Sequence, residues 1–309
     1  MALIIRVAPT REQWWLEHMQ ALLPEIECRP WSTPGNVDDI DIAVVWRPPA
    51  GGLKRFSNLK AIISIGAGID HVLADPELPK NVPIIRTTGD DLKVRMREYV
   101  TLHVLRLHRC LPEVEAAMER REWWQPVTPP ASKRRVGIMG LGDLGGDCAR
   151  TLATIGFDVA GWSTRKKTID SVASYAGSDD LSGFLARTDI LVCLLPLTPE
   201  TEGILNADLF NQLPRGASII NVARGGHLIE GDLIDALDRG QIDHATLDVF
   251  KTEPLPTSSR FWDHPKVLVT PHVASLIDPV SGGKAIAANV RKFMAGEPVP
   301  DMVDLEKGY

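Results

Sequence analysis

The sequence predicts an α/β protein built on parallel sheets with helices on both faces. Three observations carry this expectation. Short apolar runs rich in Ile and Val alternate with longer amphipathic runs along most of the chain, which is the pattern of strand–helix–strand units. A Gly-x-Gly-x-x-Gly turn stands between one such strand and one such helix. The 309 residues suffice for two well-buried cores, at roughly 150 residues per domain.

The elements follow in order. Leu3 to Ala8, Asp41 to Trp46 and Ala61 to Ile65 read as strands, the last two followed by Pro or Gly. A long helix is expected from Asp91 to Arg121, with a kink or break at Pro112. Gln125-Pro126-Val127-Thr128-Pro129-Pro130 cannot continue a helix and reads as a linker or arm. Strands are then expected at Arg135 to Met139, Asp158 to Trp162, Ile190 to Leu194, Ser218 to Val222, His244 to Val249 and Val267 to Thr270. Helical patterns fill the gaps, as at Asp143 to Ile155 and Glu230 to Asp238, and an amphipathic helix from Ser275 to Met294 comes last. The first hundred residues alternate more loosely, and no repeat or low-complexity tract interrupts the pattern.

Composition narrows the function. Lys and Arg total 34 against 40 for Asp and Glu, a net charge of -6, which argues against a dedicated nucleic-acid binder. No apolar run approaches the ~20 residues of a membrane-spanning helix. The start, Met1 to Arg6, lacks the basic region of a signal peptide. Cys28, Cys110, Cys148 and Cys193 are scattered without the paired spacing of a zinc site, so no metal is expected and a reducing cytoplasm is.

The glycine turn is the first strong functional signal. Gly140, Gly142 and Gly145 follow the strand ending at Met139 and open the helix beginning at Asp143, with Leu144 inside the turn. In that context the first glycine permits the tight turn, the second admits a pyrophosphate and the third lets helix and strand pack. The helix N-terminus offers N–H groups to phosphate. NAD-binding folds usually place an acid about 20 residues further on, at the end of the next strand. Here that strand runs into Ser163, Thr164, Arg165, Lys166 and Lys167, with no acid among them. A carboxylate would repel a 2′-phosphate, whereas Arg165 and Lys166 would pair with it. NADP is therefore expected to be preferred over NAD.

Three further loops each follow an expected strand. They carry Arg224 in Asn221-Val222-Ala223-Arg224-Gly225-Gly226, Glu253 in Leu247-Asp248-Val249-Phe250-Lys251-Thr252-Glu253-Pro254, and His272 in Thr270-Pro271-His272-Val273-Ala274. Loops after parallel strands lie at the carboxyl edge of the sheet, where ligands bind. A guanidinium there can hold a carboxylate and polarise a carbonyl. A histidine can protonate a developing alkoxide, and a neighbouring carboxylate favours its charged form and fixes its ring. The trio fits hydride transfer to a 2-oxo acid. Trp46, at the end of an expected strand, is placed as a pocket wall.

These motifs, with Gly66-Ala67-Gly68-Ile69-Asp70-His71 and Arg97-Glu98-Tyr99-Val100, stand in an order that resembles the D-isomer-specific 2-hydroxyacid dehydrogenases over nearly the whole chain. Trp46-Arg47-Pro48-Pro49 and the Trp-Ser-Thr-Arg segment are most similar to the glyoxylate/hydroxypyruvate reductase A group of that family. The resemblance implies two Rossmann-like domains with a cleft between. A flavodoxin-like substrate domain would take residues 1–98 and 274–309, and a doubly wound NAD(P)-binding domain residues 99–273. It implies reduction of glyoxylate or hydroxypyruvate, with Arg224 binding substrate and His272 as acid/base paired with Glu253. It implies that the amides of Ala67 and Gly68 hold the substrate carboxylate, that Asp248 bonds the nicotinamide carboxamide, and that Leu195, Pro196 and Thr198 run along the adenosine side. Val222, Ala223, Arg224 and His272 would also touch the cofactor. Members usually form homodimers through the cofactor domain, and Trp123-Trp124 would lie in such an interface or in the core.

Two other readings compete: a reductase for a bulkier 2-oxo acid such as phenylpyruvate, and a non-catalytic dinucleotide-sensing protein of the corepressor kind. Fold alone does not separate them. The joint presence of Arg, Glu and His favours an enzyme, since a sensor has no need of all three.

Overall fold

The computed structural model describes residues 1–303. The chain divides into two compact units, Met1–Leu92 with Ile277–Tyr309, and Lys93–Leu276; the part of the first unit beyond residue 303 lies outside the described residues. The sequence-derived boundaries fell at residues 98/99 and 273/274.

In the first unit β1 (Ala2–Arg6), β2 (Glu27–Pro30), β3 (Ile40–Val45), β4 (Ala61–Ser64) and β5 (Ile84–Arg86) form one parallel sheet in the order β2-β1-β3-β4-β5. That is the flavodoxin-like order. Of the three interior strands, β3 and β4 are buried at every residue and β1 at all but Arg6, as expected of a sheet covered on both faces. α1 (Pro9–Leu22) and α9 (Gly282–Met294) pack together on the unit. Gly283 sits where an added Cβ would lie 2.9 Å from Leu22, and Arg291 donates to Glu25 at 2.8 Å.

The second unit holds seven parallel strands: β6 (Arg135–Met139), β7 (Asp158–Ser163), β8 (Val172–Ala176), β9 (Ile190–Cys193), β10 (Ala217–Asn221), β11 (Ile242–Leu247) and β12 (Val267–Val269). Their order, β12-β11-β10-β9-β6-β7-β8, is the doubly wound arrangement with its switch point between β6 and β9. The α/β class and both sheet types expected from the sequence are thus borne out. Its core gathers Phe184, Leu191, Phe210, Ile219 and Leu237 on one face, and Val104, Val136, Leu152 and Val192 on the other.

The break expected at Pro112 is present: the helical stretch over 91–121 is two helices, α3 (Asp90–His108) and α4 (Leu111–Glu119), joined through Cys110 at φ 54°. The break precedes Pro112 because a proline ring clashes with the carbonyl four residues back, which is that of His108, the last residue of α3. The last helix begins at Gly282 rather than Ser275. Pro279 cannot donate, and the Asp278 carboxylate instead accepts the N–H groups of Val280 and Ser281 at 2.8 and 3.0 Å. Trp123 and Trp124 are not core residues, being 90% and 46% exposed.

The start of β6 is tied to the loop before β9. Arg135 donates from its backbone N–H and its guanidinium to Asp189, at 3.0, 3.1 and 2.6 Å. Burial pulls the Asp189 carboxyl upward, but these donors outweigh it and hold it below the usual range. A depressed carboxylate adds stability above its unfolded value and loses it as pH falls through the folded one. Asp189→Asn is expected to lower unfolding free energy at pH 7 by about 1 kcal/mol, since half-exposed Arg135 is screened. The gap from wild type should narrow in urea titrations carried down through the carboxylate range.

Candidate active site

The glycine turn has the geometry its spacing predicts. Gly140 has φ 98°, and an added Cβ would lie 2.7 Å from the Leu194 carbonyl. At Gly145 the Cβ would fall 1.8 Å from the Gly140 carbonyl oxygen. At Gly142 it would meet nothing within 4 Å. Two glycines are therefore needed by the protein's own packing, and the middle one leaves open space at the N-terminus of α5 (Asp143–Ile155). Gly142 and Asp143 are exposed there and Leu144 is half-buried, while Asp143 pairs with Lys93 at 3.0 Å. Open space and free helix N–H groups fit a pyrophosphate.

At the end of β7 the Ser163 hydroxyl donates to the Arg165 carbonyl at 2.7 Å. It holds the turn that turns Thr164 and Arg165 into solvent. Lys166 leans toward Asp180 at 3.8 Å. Between Arg165 and Lys166, Arg165 is therefore the one better placed for a 2′-phosphate. Leu195 is buried, Pro196 exposed and Thr198 half-buried. Thr201 pins this stretch by donating to the Pro196 carbonyl at 2.7 Å and accepting from the Thr198 N–H at 2.9 Å.

Beyond β10, Asn221 clamps the arginine loop, accepting from the Ala223 N–H at 3.2 Å and donating to the Arg224 carbonyl at 3.1 Å. Val222 and Ala223 are buried and Arg224 is half-buried. The Arg224 guanidinium donates to the Ala223 carbonyl at 2.7 Å. Fully buried His227 reaches the carbonyls of both Arg224 and Pro196, at 3.1 and 3.2 Å. It thereby joins the arginine loop to the stretch after β9. Gly225 admits no side chain, because a Cβ would lie 1.9 Å from Phe250.

Glu253 and His272 meet. His272 Nδ1 lies 2.8 Å from Glu253 Oε2, while Glu253 Oε1 accepts the Phe250 N–H at 3.0 Å. Their side chains are 13% and 27% exposed. His272 has φ 54°, a left-handed conformation that costs a residue with a Cβ about 1–2 kcal/mol. What holds it is Asp248. The Asp248 carbonyl accepts the His272 N–H at 2.8 Å, and its carboxylate accepts Val273 and Ala274 N–H at 2.8 and 2.9 Å and the Thr270 hydroxyl at 2.6 Å. Tyr99 on α3 lies 2.6 Å from that hydroxyl. Asp248 is fully buried, and burial raises its carboxyl above the usual range despite these donors. Thr270 and Tyr99 were not singled out from the sequence for this role. Thr270 stands two residues before His272 and Tyr99 in the quoted Arg97–Val100 segment, but nothing in their spacing announces a shared hydrogen bond.

In the first unit, Trp46 directly follows β3 and lies over the turn after β4. An added Cβ on Gly66 would be 2.7 Å from the Trp46 ring, and Gly66, Ala67 and Gly68 are half-buried.

Comparison with known proteins decides the family. The D-isomer specific 2-hydroxyacid dehydrogenase, NAD binding domain, matches residues 101–274. This chain belongs to the D-isomer specific 2-hydroxyacid dehydrogenase family. As a member it is 41% identical over 301 residues, 96% of each chain, to glyoxylate/hydroxypyruvate reductase A of Serratia proteamaculans. A protein of the same name from Yersinia enterocolitica matches equally, at 41% over 96% of each chain. Among solved structures, the D-isomer specific 2-hydroxyacid dehydrogenase from Xanthobacter autotrophicus Py2, in complex with NADPH and MES, superposes with TM-score 0.93 at 42% identity, covering 100% of this chain and 99% of that one. The NADPH-dependent glyoxylate/hydroxypyruvate reductase of Sinorhizobium meliloti, in complex with NADP and sulfate, gives TM-score 0.91 at 40% identity over the whole of both chains. The resemblance read from the motifs is borne out.

In this family member, Gly142 and Gly145 make separable demands. Gly145→Ala is expected to lower unfolding free energy by about 1–3 kcal/mol through backbone overlap. Gly142→Ala should change it by less than about 1 kcal/mol while weakening NADPH binding severalfold in a fluorescence titration.

Proposed function

We propose that this chain reduces a small 2-oxo acid, glyoxylate or hydroxypyruvate, to its 2-hydroxy acid with NADPH, using NADH less well. The observation that carries the reading is the His272–Glu253 pair, 2.8 Å apart and half-buried on a loop pinned by Asp248. Relatives about 40% identical bear the names of such reductases, and the one from Sinorhizobium meliloti was solved with NADP, which supports the choice of substrate and cofactor.

Bound NADPH supplies the hydride. The chain's own part is binding, orientation and the proton. Gly140, Gly142, Asp143, Leu144 and Gly145 form the pyrophosphate turn, and Ser163, Thr164, Arg165 and Lys166 the 2′-phosphate site. Leu195, Pro196 and Thr198 take the adenosine side, and Val222, Ala223 and Asp248 the nicotinamide side. Arg224 grips the substrate carboxylate and draws electron density from the carbonyl oxygen. In the first unit the amides of Ala67 and Gly68 are the groups offered to a carboxylate, with Trp46 beside them. With Nδ1 engaged by Glu253 at 2.8 Å, the proton that His272 transfers sits on Nε2. In this reading Lys93–Leu276 is the cofactor domain and the other unit the substrate domain.

The same reading makes the protein a homodimer through its cofactor domain, supported by exposed Trp123, Trp124 and Val127, at 90%, 46% and 100%. It also makes it cytoplasmic, supported by four free cysteines and by the lack, among the described residues, of a helix long and apolar enough to cross a membrane.

The deciding assay offers NADPH and NADH separately, each with glyoxylate and with hydroxypyruvate. Rapid NADPH oxidation with either acid is expected, and no oxidation with any pair would overturn the proposal. His272→Gln should lower kcat by about 100-fold or more, far more than it weakens NADPH binding. Neutralising Arg165 and Lys166 together, as Arg165→Ser with Lys166→Ser, should cut the preference for NADPH over NADH by about tenfold or more.

A further inference from the structure

We infer that His71, acting through Ser64, is a positioning residue for the turn that presents the Ala67 amide to a substrate carboxylate; the inference rests on the 2-oxo acid reading above. His71 stands on α2 (Asp70–Leu73), the short helix that follows the turn. The Arg47 N–H donates to its Nδ1 at 3.2 Å. A backbone N–H can only donate, so Nδ1 carries no proton and the ring is the neutral tautomer with its hydrogen on Nε2. Nε2 lies 3.1 Å from the Ser64 hydroxyl and therefore donates to it.

Ser64 is fully buried at the end of β4. With His71 donating to its oxygen, its single proton is shared between the carbonyls of Gly66 and Gly68, at 3.0 and 3.1 Å. The direction of the chain is then set from one end to the other: Arg47 N–H to His71, His71 to Ser64, Ser64 to the two carbonyls. In a planar trans peptide the N–H points opposite to the carbonyl of the preceding residue. Turning the Gly66 and Gly68 carbonyls onto a buried hydroxyl therefore turns the N–H groups of Ala67 and Ile69 away from it. Of the two amides assigned to the carboxylate, Ala67's is the one this network aims. The Thr87 N–H adds a weaker hold on the Gly66 carbonyl at 3.4 Å, and the Thr87 hydroxyl donates to the Ser64 carbonyl at 2.7 Å.

The same imidazole fixes the other side of the turn. Its ring lies 4.5 Å from that of Trp46, at 58°, and Trp46 covers Gly66. Arg47 holds φ 48°, a conformation that disfavours a residue with a side chain, and its N–H is the group bonded to Nδ1. One neutral histidine thus couples the Trp46–Arg47 corner to the amides beneath it. Its two nitrogens, rather than its bulk, do the coupling.

Two variants separate hydrogen bonding from packing. His71→Phe keeps a flat ring beside Trp46 and removes both nitrogens. His71→Gln restores one acceptor and one donor. In His71→Phe the KM for glyoxylate is expected to rise about tenfold, with kcat changed less than about threefold and NADPH affinity unchanged, the pattern of a lost binding contribution. His71→Gln should recover most of the loss. Hydrogen exchange at residues 66–69 should quicken in His71→Phe and not in His71→Gln. A folded His71→Phe with wild-type KM, or equal impairment of both variants, would overturn the inference. Should His71→Phe not fold, Ser64→Ala breaks the same chain and is read the same way. If the wild-type protein reduces neither acid, the functional reading fails, and the exchange comparison alone decides whether His71 holds the turn.

Discussion

The carboxyl edge of the second unit's sheet depends on one buried carboxylate. Asp248 directly follows β11 with no exposed surface, and three donors converge on its two oxygens while its carbonyl holds a fourth. An ionised carboxylate without such partners would be too costly to bury. With them it becomes a rigid post to which the whole loop from Thr270 to Ala274 is bound. The left-handed backbone of His272 persists because this post over-determines it. Glu253 then meets a ring whose backbone is already settled, and engages its Nδ1 at 2.8 Å.

The arginine loop is built by the same economy. Asn221 makes an internal clamp at the end of β10, and His227 ties the loop to the segment after β9. Gly225 lets the loop press against the backbone of Phe250. None of these residues needs to touch a ligand for the site to depend on it. Each satisfies buried backbone groups that a loop at a sheet edge would otherwise leave unpaired.

Much of this was legible in the sequence, for physical reasons that differ by element. Arg135–Met139, Asp143–Ile155 and Glu230–Asp238 could be read with their observed limits, because a clean apolar period meets a clear stop at each end. The edge strands β2, β5 and β8 could not, being short and only partly buried, so that alternation hardly registers. Arg224, Glu253 and His272 were visible because each follows a strand, and strand ends define one edge. The groups that orient them were not. Tyr99, Thr270 and Asp248 lie up to 171 residues apart in the chain, and nothing local marks a hydrogen bond made across such a span. The break in the long helix was legible from Pro112, but it falls a few residues earlier because a proline acts on the carbonyl four residues before it.

The first unit is discontinuous in the chain, and this has a consequence for how the protein is made. Its sheet is complete by Arg86, yet α9, which packs on α1, begins only at Gly282. At roughly 5–20 residues per second a ribosome needs on the order of ten to forty seconds to reach it. During that interval the face of α1 carrying Met19 and Leu22, against which Gly283 later packs, waits without its partner. The second unit, continuous from Lys93 to Leu276, emerges whole in the meantime. The N-terminal unit, synthesised first, is therefore the one whose α1–α9 contact can form only last.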